Sequence, residues 1–229
     1  MSQPTTSSQA TSSPSGSSQE AASFGAATLA GYLSELAAKV PAPGGGAVAA
    51  LHAAQGAALV AMVARYTTRA KDAEHRPVID RIIEAADAAR ARSLALAEAD
   101  AAAFTAVGDA YKLPKGTDAE AQHRQEAITA ALIEAARVPA AVVDEADEVL
   151  SLAAELLPIG NPNVVTDIGA AADAARAAAT SSQLNIEINV ASLPAAEGDR
   201  FAPTLARIEE ITARADGLHA DVLHAVRSS

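Results

Sequence analysis

From Leu29 onward, apolar residues recur at the three-and-four spacing that lays them along one side of an α-helix, with short interruptions. Leu29, Leu33 and Leu36, followed by Val40, mark a first helix that Thr28 is placed to cap. Val48, Leu51, Gln55, Leu59 and Met62 mark a second, from Ala47 to Ala64, whose other positions are nearly all Ala or Gly. A helix apolar almost all round belongs at the centre of a fold. A third, opened by Pro77 and running to about Tyr111, carries the stripe Ile82, Ala86, Ala89, Ser93, Leu96, Asp100, Phe104, Val107 and Tyr111. Thr117 and Glu120 have the spacing of a capping box for a fourth, which continues through Ile128, Leu132 and Ala135 and is expected to kink or stop at Pro139. Val142 to Leu157, Ala170 to Ser192 and Pro203 to Val226 give the remaining helical segments. Residues 185–190 also alternate as a strand would, but a single strand has nothing to pair with. The pattern predicts an all-α fold, an antiparallel bundle of long alanine-rich helices, in one domain spanning residues 23–229. Residues 1–22 are Ser, Thr, Gln, Pro and Ala with one charge, Glu20, and are expected to be a disordered tail.

Composition narrows how such a bundle holds together. Half of the residues are hydrophobic but only 3% are aromatic, so the core is built from small side chains. Those bury little area each and need close helix approach together with a subunit interface, which predicts a homo-oligomer. The formal charge of −11, without a basic stripe, excludes a nucleic-acid surface as partner. The absence of cysteine removes disulfides, thiol nucleophiles and Cys-based zinc or iron–sulfur sites, and the five histidines lack metal-ligand spacing, so no metal is expected. The N-terminus has no charged and apolar leader, which makes a cytoplasmic location the expectation. Residues 47–64 approach membrane-spanning length, yet they are alanine-rich and contain His52 and Gln55, so no membrane partner is expected.

The interruptions carry the candidate chemistry. Pro41-Ala-Pro-Gly-Gly-Gly46 lies between the first two helices. Gly44, Gly45 and Gly46 read either as a tight bend or as exposed N–H groups at a helix N-terminus, where an anionic or carbonyl ligand can sit. The stretch formally fits G-x-G-x-x-A, but no strand precedes it, and it lacks the Gly-Lys-Ser/Thr ending of a Walker A loop, so both nucleotide readings fall. Asp100 lies on the apolar line of its helix, where burial raises a carboxyl pKa and suits it to general acid–base work; an interhelical salt bridge is the alternative. Lys115 and Arg124 are scarce cations beside a loop and can hold a substrate carboxylate. Asn161 is placed to cap or brace the loop 158–163 and is also a substrate-binding candidate, and Asp167 is placed to sit at a helix start that stabilises its charge. Asn185 and Asn189, four apart, form either a hydrogen-bonded lock or a pair of ligand readers, and His52 with Gln55 either a satisfied polar pair or part of a cleft.

Taken in order, several separated segments resemble the cyclodeaminase/cyclohydrolase family, known as the C-terminal half of formimidoyltransferase-cyclodeaminase and as free-standing methenyltetrahydrofolate cyclohydrolase. They are Val40-Pro-Ala-Pro-Gly-Gly-Gly46 with residues 48–51 and 59–63, Asp100-Ala-Ala-Ala-Phe104, Leu113-Pro-Lys115 with Arg124, Gly160-Asn-Pro-Asn163 with Asp167, and Leu184-Asn-Ile-Glu-Ile-Asn189. The resemblance spans roughly residues 28–215 and departs at Ala47, where the family commonly has serine, and at residues 65–72. It implies an all-helical homodimer that binds a reduced folate without metal or redox cofactor. The implied activity is that of a cyclodeaminase, turning 5-formiminotetrahydrofolate into 5,10-methenyltetrahydrofolate and ammonia. The alternatives are a cyclohydrolase that opens the methenyl compound to 10-formyltetrahydrofolate, or a folate-binding scaffold with impaired catalysis. In that frame Asp100 is the acid–base group, Asp167 orients or stabilises charge, Asn185 and Asn189 meet the pterin or bridge, and Lys115 and Arg124 meet the glutamyl carboxylates.

Overall fold

The computed structural model describes residues 24–228; the expected tail, residues 1–22, lies outside them. The elements are α1 (Leu29–Leu36), α2 (Gly45–Arg65), α3 (Arg76–Lys112), α4 (Asp118–Leu156), α5 (Thr166–Val190), a single turn α6 (Ala195–Gly198) and α7 (Ala202–Arg227). No strand occurs among the described residues, and 185–190 belong to α5. α2 packs on α3, α5 and α4, and α4 closes the group against α3 and α5, with α7 along α5 and α4. α2 is long and apolar enough to cross a bilayer, but most of its apolar stretch is buried inside this bundle.

Small residues make the packing possible. Ala49, Ala50, Ala53, Ala57, Val60 and Ala64 of α2 are fully buried together with Ala171, Ala175 and Ala178 of α5. A Cβ on Gly56 would lie 3.0 Å from the Val149 side chain and 3.2 Å from the Ala171 carbonyl, so the backbone here approaches two neighbours as closely as glycine allows. One buried charge crosses the core edge: Glu145 accepts two hydrogen bonds from Arg92, at 2.6 and 3.0 Å. Its charge is paired, as burial requires.

Local signals set the ends. Thr28 caps α1 through Gly31 N–H, and Thr117 and Glu120 close a full capping box on α4. Pro77 sits in the first turn of α3. Two expectations are corrected. α1 stops at Leu36, and its apolar line faces outward: Leu29 is 75% and Leu33 51% exposed, whereas Tyr32 is the residue it buries. Nor does α4 break at Pro139; it runs through as one helix, with the proline buried inside it. The donor that Pro139 cannot supply is replaced from another helix, as described below.

Candidate functional site

The glycine loop ends as the first turn of α2. Gly44 is the N-cap and Gly45 and Gly46 are already helical, so the N–H groups of this turn point out of the helix end. Pro43, joined to Ala42 by a cis peptide bond, is buried beneath the turn. Across from it, the α3 stripe brings Asp100 against Gly46, and a Cβ on Gly46 would fall within 2.6 Å of Cγ and both oxygens of that carboxylate. The bend and the N–H display are therefore one feature. Glycine is needed because an acid occupies the space.

Around these residues lies a cleft of about 250 Å³. Gly44, Gly45 and Gly46 form one wall and Asp100, Phe104 and Val107 of α3 another, while Asn185, Ile188 and Asn189 of α5 close the third with Ala135 of α4 at the base. Desolvation raises the Asp100 pKa above the usual carboxylate range, against a smaller opposing effect from Ala47 N–H, which donates to it. Tyr32 is held up by burial and, secondarily, by the Asp100 charge, which brings α1 into the same surroundings. A carboxyl group that keeps its proton into a higher pH range, beside amide donors and acceptors, can pass that proton to or from a nitrogen.

Both asparagines on α5 are oriented by helix carbonyls. Asn185 Nδ2 donates to Ser181 O at 2.8 Å, and Asn189 Nδ2 donates to Asn185 O at 2.8 Å and to Ala135 O at 3.1 Å. They are a hydrogen-bonded lock and cleft-lining groups at once.

The remaining candidates lie elsewhere. Asn161 is spent on the loop: Nδ2 donates to Tyr66 O, its N–H to Thr67 Oγ1, and its Oδ1 accepts from Asn163 N–H. Asp167 stands in the first turn of α5, eighteen residues from Asn185, or about 27 Å of helix. Within one chain the bundle thus sets Asp167 and Asn161 at the end opposite Asp100, and neither lines the cleft. Lys115 is exposed at the α3–α4 corner. Arg124 stacks 5.5 Å from the Tyr111 ring centroid and donates to Tyr111 O. His52 is half-buried and Gln55 exposed on the outward side of α2, outside the cleft lining. Among the described residues no group of three or more His, Asp or Glu side chains is placed to hold a metal ion.

Sequence periodicity missed Tyr32, Phe104 and Ala135 as cleft neighbours. Phe104 carried a usable signal, being one turn from Asp100 on the same stripe; Tyr32 and Ala135 carried none. A second, larger cavity of about 450 Å³ lies at the Asp167 end, between Arg69, His75 and the 157–162 loop. It shares no residue with the Asp100 cleft.

Comparison with known proteins bears on this arrangement. A model of the formiminotransferase-cyclodeaminase family matches residues 28–224. The methenyltetrahydrofolate cyclohydrolase of Methylorubrum extorquens is 36% identical over 203 residues, covering 88% of this chain and 96% of that protein. The formimidoyltransferase-cyclodeaminase of Mus musculus is 35% identical over 164 residues, 71% of this chain but 30% of the mouse protein. The crystal structure of formiminotetrahydrofolate cyclodeaminase from Thermotoga maritima matches with a TM-score of 0.74 at 29% identity, over 88% of this chain and 96% of that one.

Proposed function

Since the chain belongs to the formiminotransferase-cyclodeaminase family, we propose that it is a folate one-carbon enzyme that closes 5-formiminotetrahydrofolate to 5,10-methenyltetrahydrofolate and releases ammonia. The observation that carries this reading is the buried Asp100 carboxyl, pressed against Gly46 in a cleft walled by two amides.

Ring closure needs N10 to attack the formimino carbon, forming the N10–C bond and a tetrahedral carbon that bears the amino group. N10 then loses its proton, the amino nitrogen gains one, and the C–N bond to ammonia breaks to leave the methenyl cation between N5 and N10. One acid–base group suffices for both proton movements. Asp100 is suited because burial raises its proton affinity above that of an ordinary carboxylate. Once ionised it lies beside the cationic bridge and stabilises it. Ala47 contributes through its backbone N–H, which holds the carboxylate in place, so this contact is independent of the side chain at that position.

The rest of the molecule fits a folate in extension. Asp100 to Tyr111 on α3 and Arg124 to Ala135 on α4 are both steps of eleven residues, close to three turns. In antiparallel neighbours this lines up Asp100 with Ala135 at one end and Tyr111 with Arg124 at the other. Phe104 and Val107 lie between, offering an apolar path about 16 Å long for the aminobenzoyl group, with Arg124 and Lys115 at its far end for the glutamyl carboxylates. A homodimer in the cytoplasm completes the proposal. α2 has no charged residue from Gly45 to Ala64 even on its outward side, and Leu29, Leu33, Leu184 and Ile188 are further large apolar side chains that this chain leaves exposed. Asp167 reaches a bridge bound beside Asp100 only from a second copy.

The second reading, hydrolysis of the methenyl bridge to 10-formyltetrahydrofolate, is favoured by the 36% identity spanning nearly the whole of the M. extorquens relative. Asp100 would then take a proton from the attacking water. Absorbance of the methenyl chromophore separates the readings with purified protein. Growth from 5-formiminotetrahydrofolate supports deamination and accelerated decay of added methenyl compound supports hydrolysis. Neither change, with folate still bound, leaves a binding protein.

A further inference from the structure

We infer that Pro139 is a positioning residue: it withholds a helical donor from the Ala135 carbonyl, and so fixes the Asn189 amide with its oxygen as the group offered to a ligand N–H in the cleft. In a regular helix the carbonyl of residue 135 accepts from the N–H of residue 139, and proline has none. α4 nevertheless runs unbroken from Asp118 to Leu156, with Ala135 and Pro139 both buried, so an unmet carbonyl here would be costly. Asn189 Nδ2 from α5 fills the gap at 3.1 Å, and its other hydrogen goes to Asn185 O at 2.8 Å.

Both partners of that nitrogen are carbonyl oxygens, which only the NH2 side of an amide can serve, so chemistry alone decides which way Asn189 faces. Its Oδ1 is left as a pure acceptor in the cleft lining. Asn185 differs: it gives one Nδ2 hydrogen to Ser181 O and keeps the other. The fixed Asn189 oxygen repels a carboxylate and selects a donor edge. On the folate reading, on which the ligand half of this inference rests, that edge is the amino and ring N–H groups of the pterin rather than the glutamyl end.

Pairing and ligand selection are tested separately. In urea denaturation, Asn189→Ala should destabilise the wild-type background clearly more than the Pro139→Ala background, where the restored N–H serves Ala135. Additive effects would overturn the pairing whatever the ligand. Should Pro139→Ala fail to fold, Asn189→Asp at neutral pH, whose carboxylate cannot donate to Ala135, must lose at least as much stability as Asn189→Ala. For the ligand half, binding of 5-formyltetrahydrofolate and of aminobenzoylglutamate, which lacks the pterin, is compared by calorimetry. Pro139→Ala should weaken the first about three- to tenfold, the scale of one hydrogen bond, without lowering the melting temperature, and leave the second unchanged. Equal weakening of both, or of neither, overturns the donor-edge assignment. Wild-type protein that binds neither compound overturns it together with the folate reading, while the stability cycle still decides the pairing.

Discussion

Gly46 and Asp100 occupy what would otherwise be the same space: a side chain at residue 46 would displace the carboxyl group opposite it. Gly46→Ala is therefore expected to cost about 1–3 kcal/mol through overpacking and to lower kcat/KM at least tenfold by moving Asp100. Gly217→Ala is the control. Nothing lies within 4 Å of its added methyl in α7, and replacing a helical glycine there should stabilise by about 0.5–1 kcal/mol with unchanged kinetics. Urea denaturation and initial rates on the two variants check both statements.

Asp100→Asn should lower kcat by about 10²- to 10⁴-fold, the usual range for removing a general acid–base group, and a folded variant with full turnover would refute the assignment. Stability should move the other way. Because burial raises the Asp100 pKa in the folded state, the native protein binds more protons than the unfolded chain between the ordinary aspartate value and the raised one. Its stability therefore falls as pH rises through that window. Asparagine removes the cost of ionising a buried group, so the stability of Asp100→Asn relative to wild type should increase from pH 4 towards neutrality. Denaturation midpoints measured across that range show the trend or its absence.

At the far end of α3, Arg124 holds the Tyr111 carbonyl and ring, and its Nη1 makes no hydrogen bond among the described residues. Arg124→Ala is expected to raise KM for a glutamylated substrate about tenfold, as loss of one bond to a charged group does, with kcat nearly unchanged. Steady-state kinetics with a substrate lacking the glutamate is the comparison, and its KM should not move.

The uncharged outward side of α2 predicts a self-association that one charge disrupts. Gln55→Glu should shift the mass in light scattering from a dimer, twice 23.0 kDa, to the single chain. An unchanged mass would place the subunit contact elsewhere or remove it.

Much of the architecture could be read from the chain because periodicity and end chemistry are local. The Thr28 cap, the Thr117–Glu120 box and Pro77 act within a few residues of themselves, and each sits where spacing placed it. Asp100 was also legible, since a carboxylate on an apolar stripe must enter the core or a cleft. Its partner was not. Gly46 is 54 residues away in sequence, and only the packing of α2 on α3 brings the two together. Pro139 shows the same limit: the sequence led to an expected kink or stop there, yet α4 continues, and the Ala135 carbonyl left without a helical donor accepts from Asn189, fifty residues after the proline.

What the sequence determined by itself was the all-helical class with most of its helix positions, the alanine-built core and the family to which the chain belongs. Tertiary structure decided which marked residues share a site. It joined Gly44 to Gly46, Asp100, Asn185 and Asn189 in one cleft, and put Asp167 and Asn161 at the other end of the bundle. The reason is physical: helix formation follows from contacts three and four residues apart, whereas a cleft is made by helix crossings and directions that depend on every packed side chain at once.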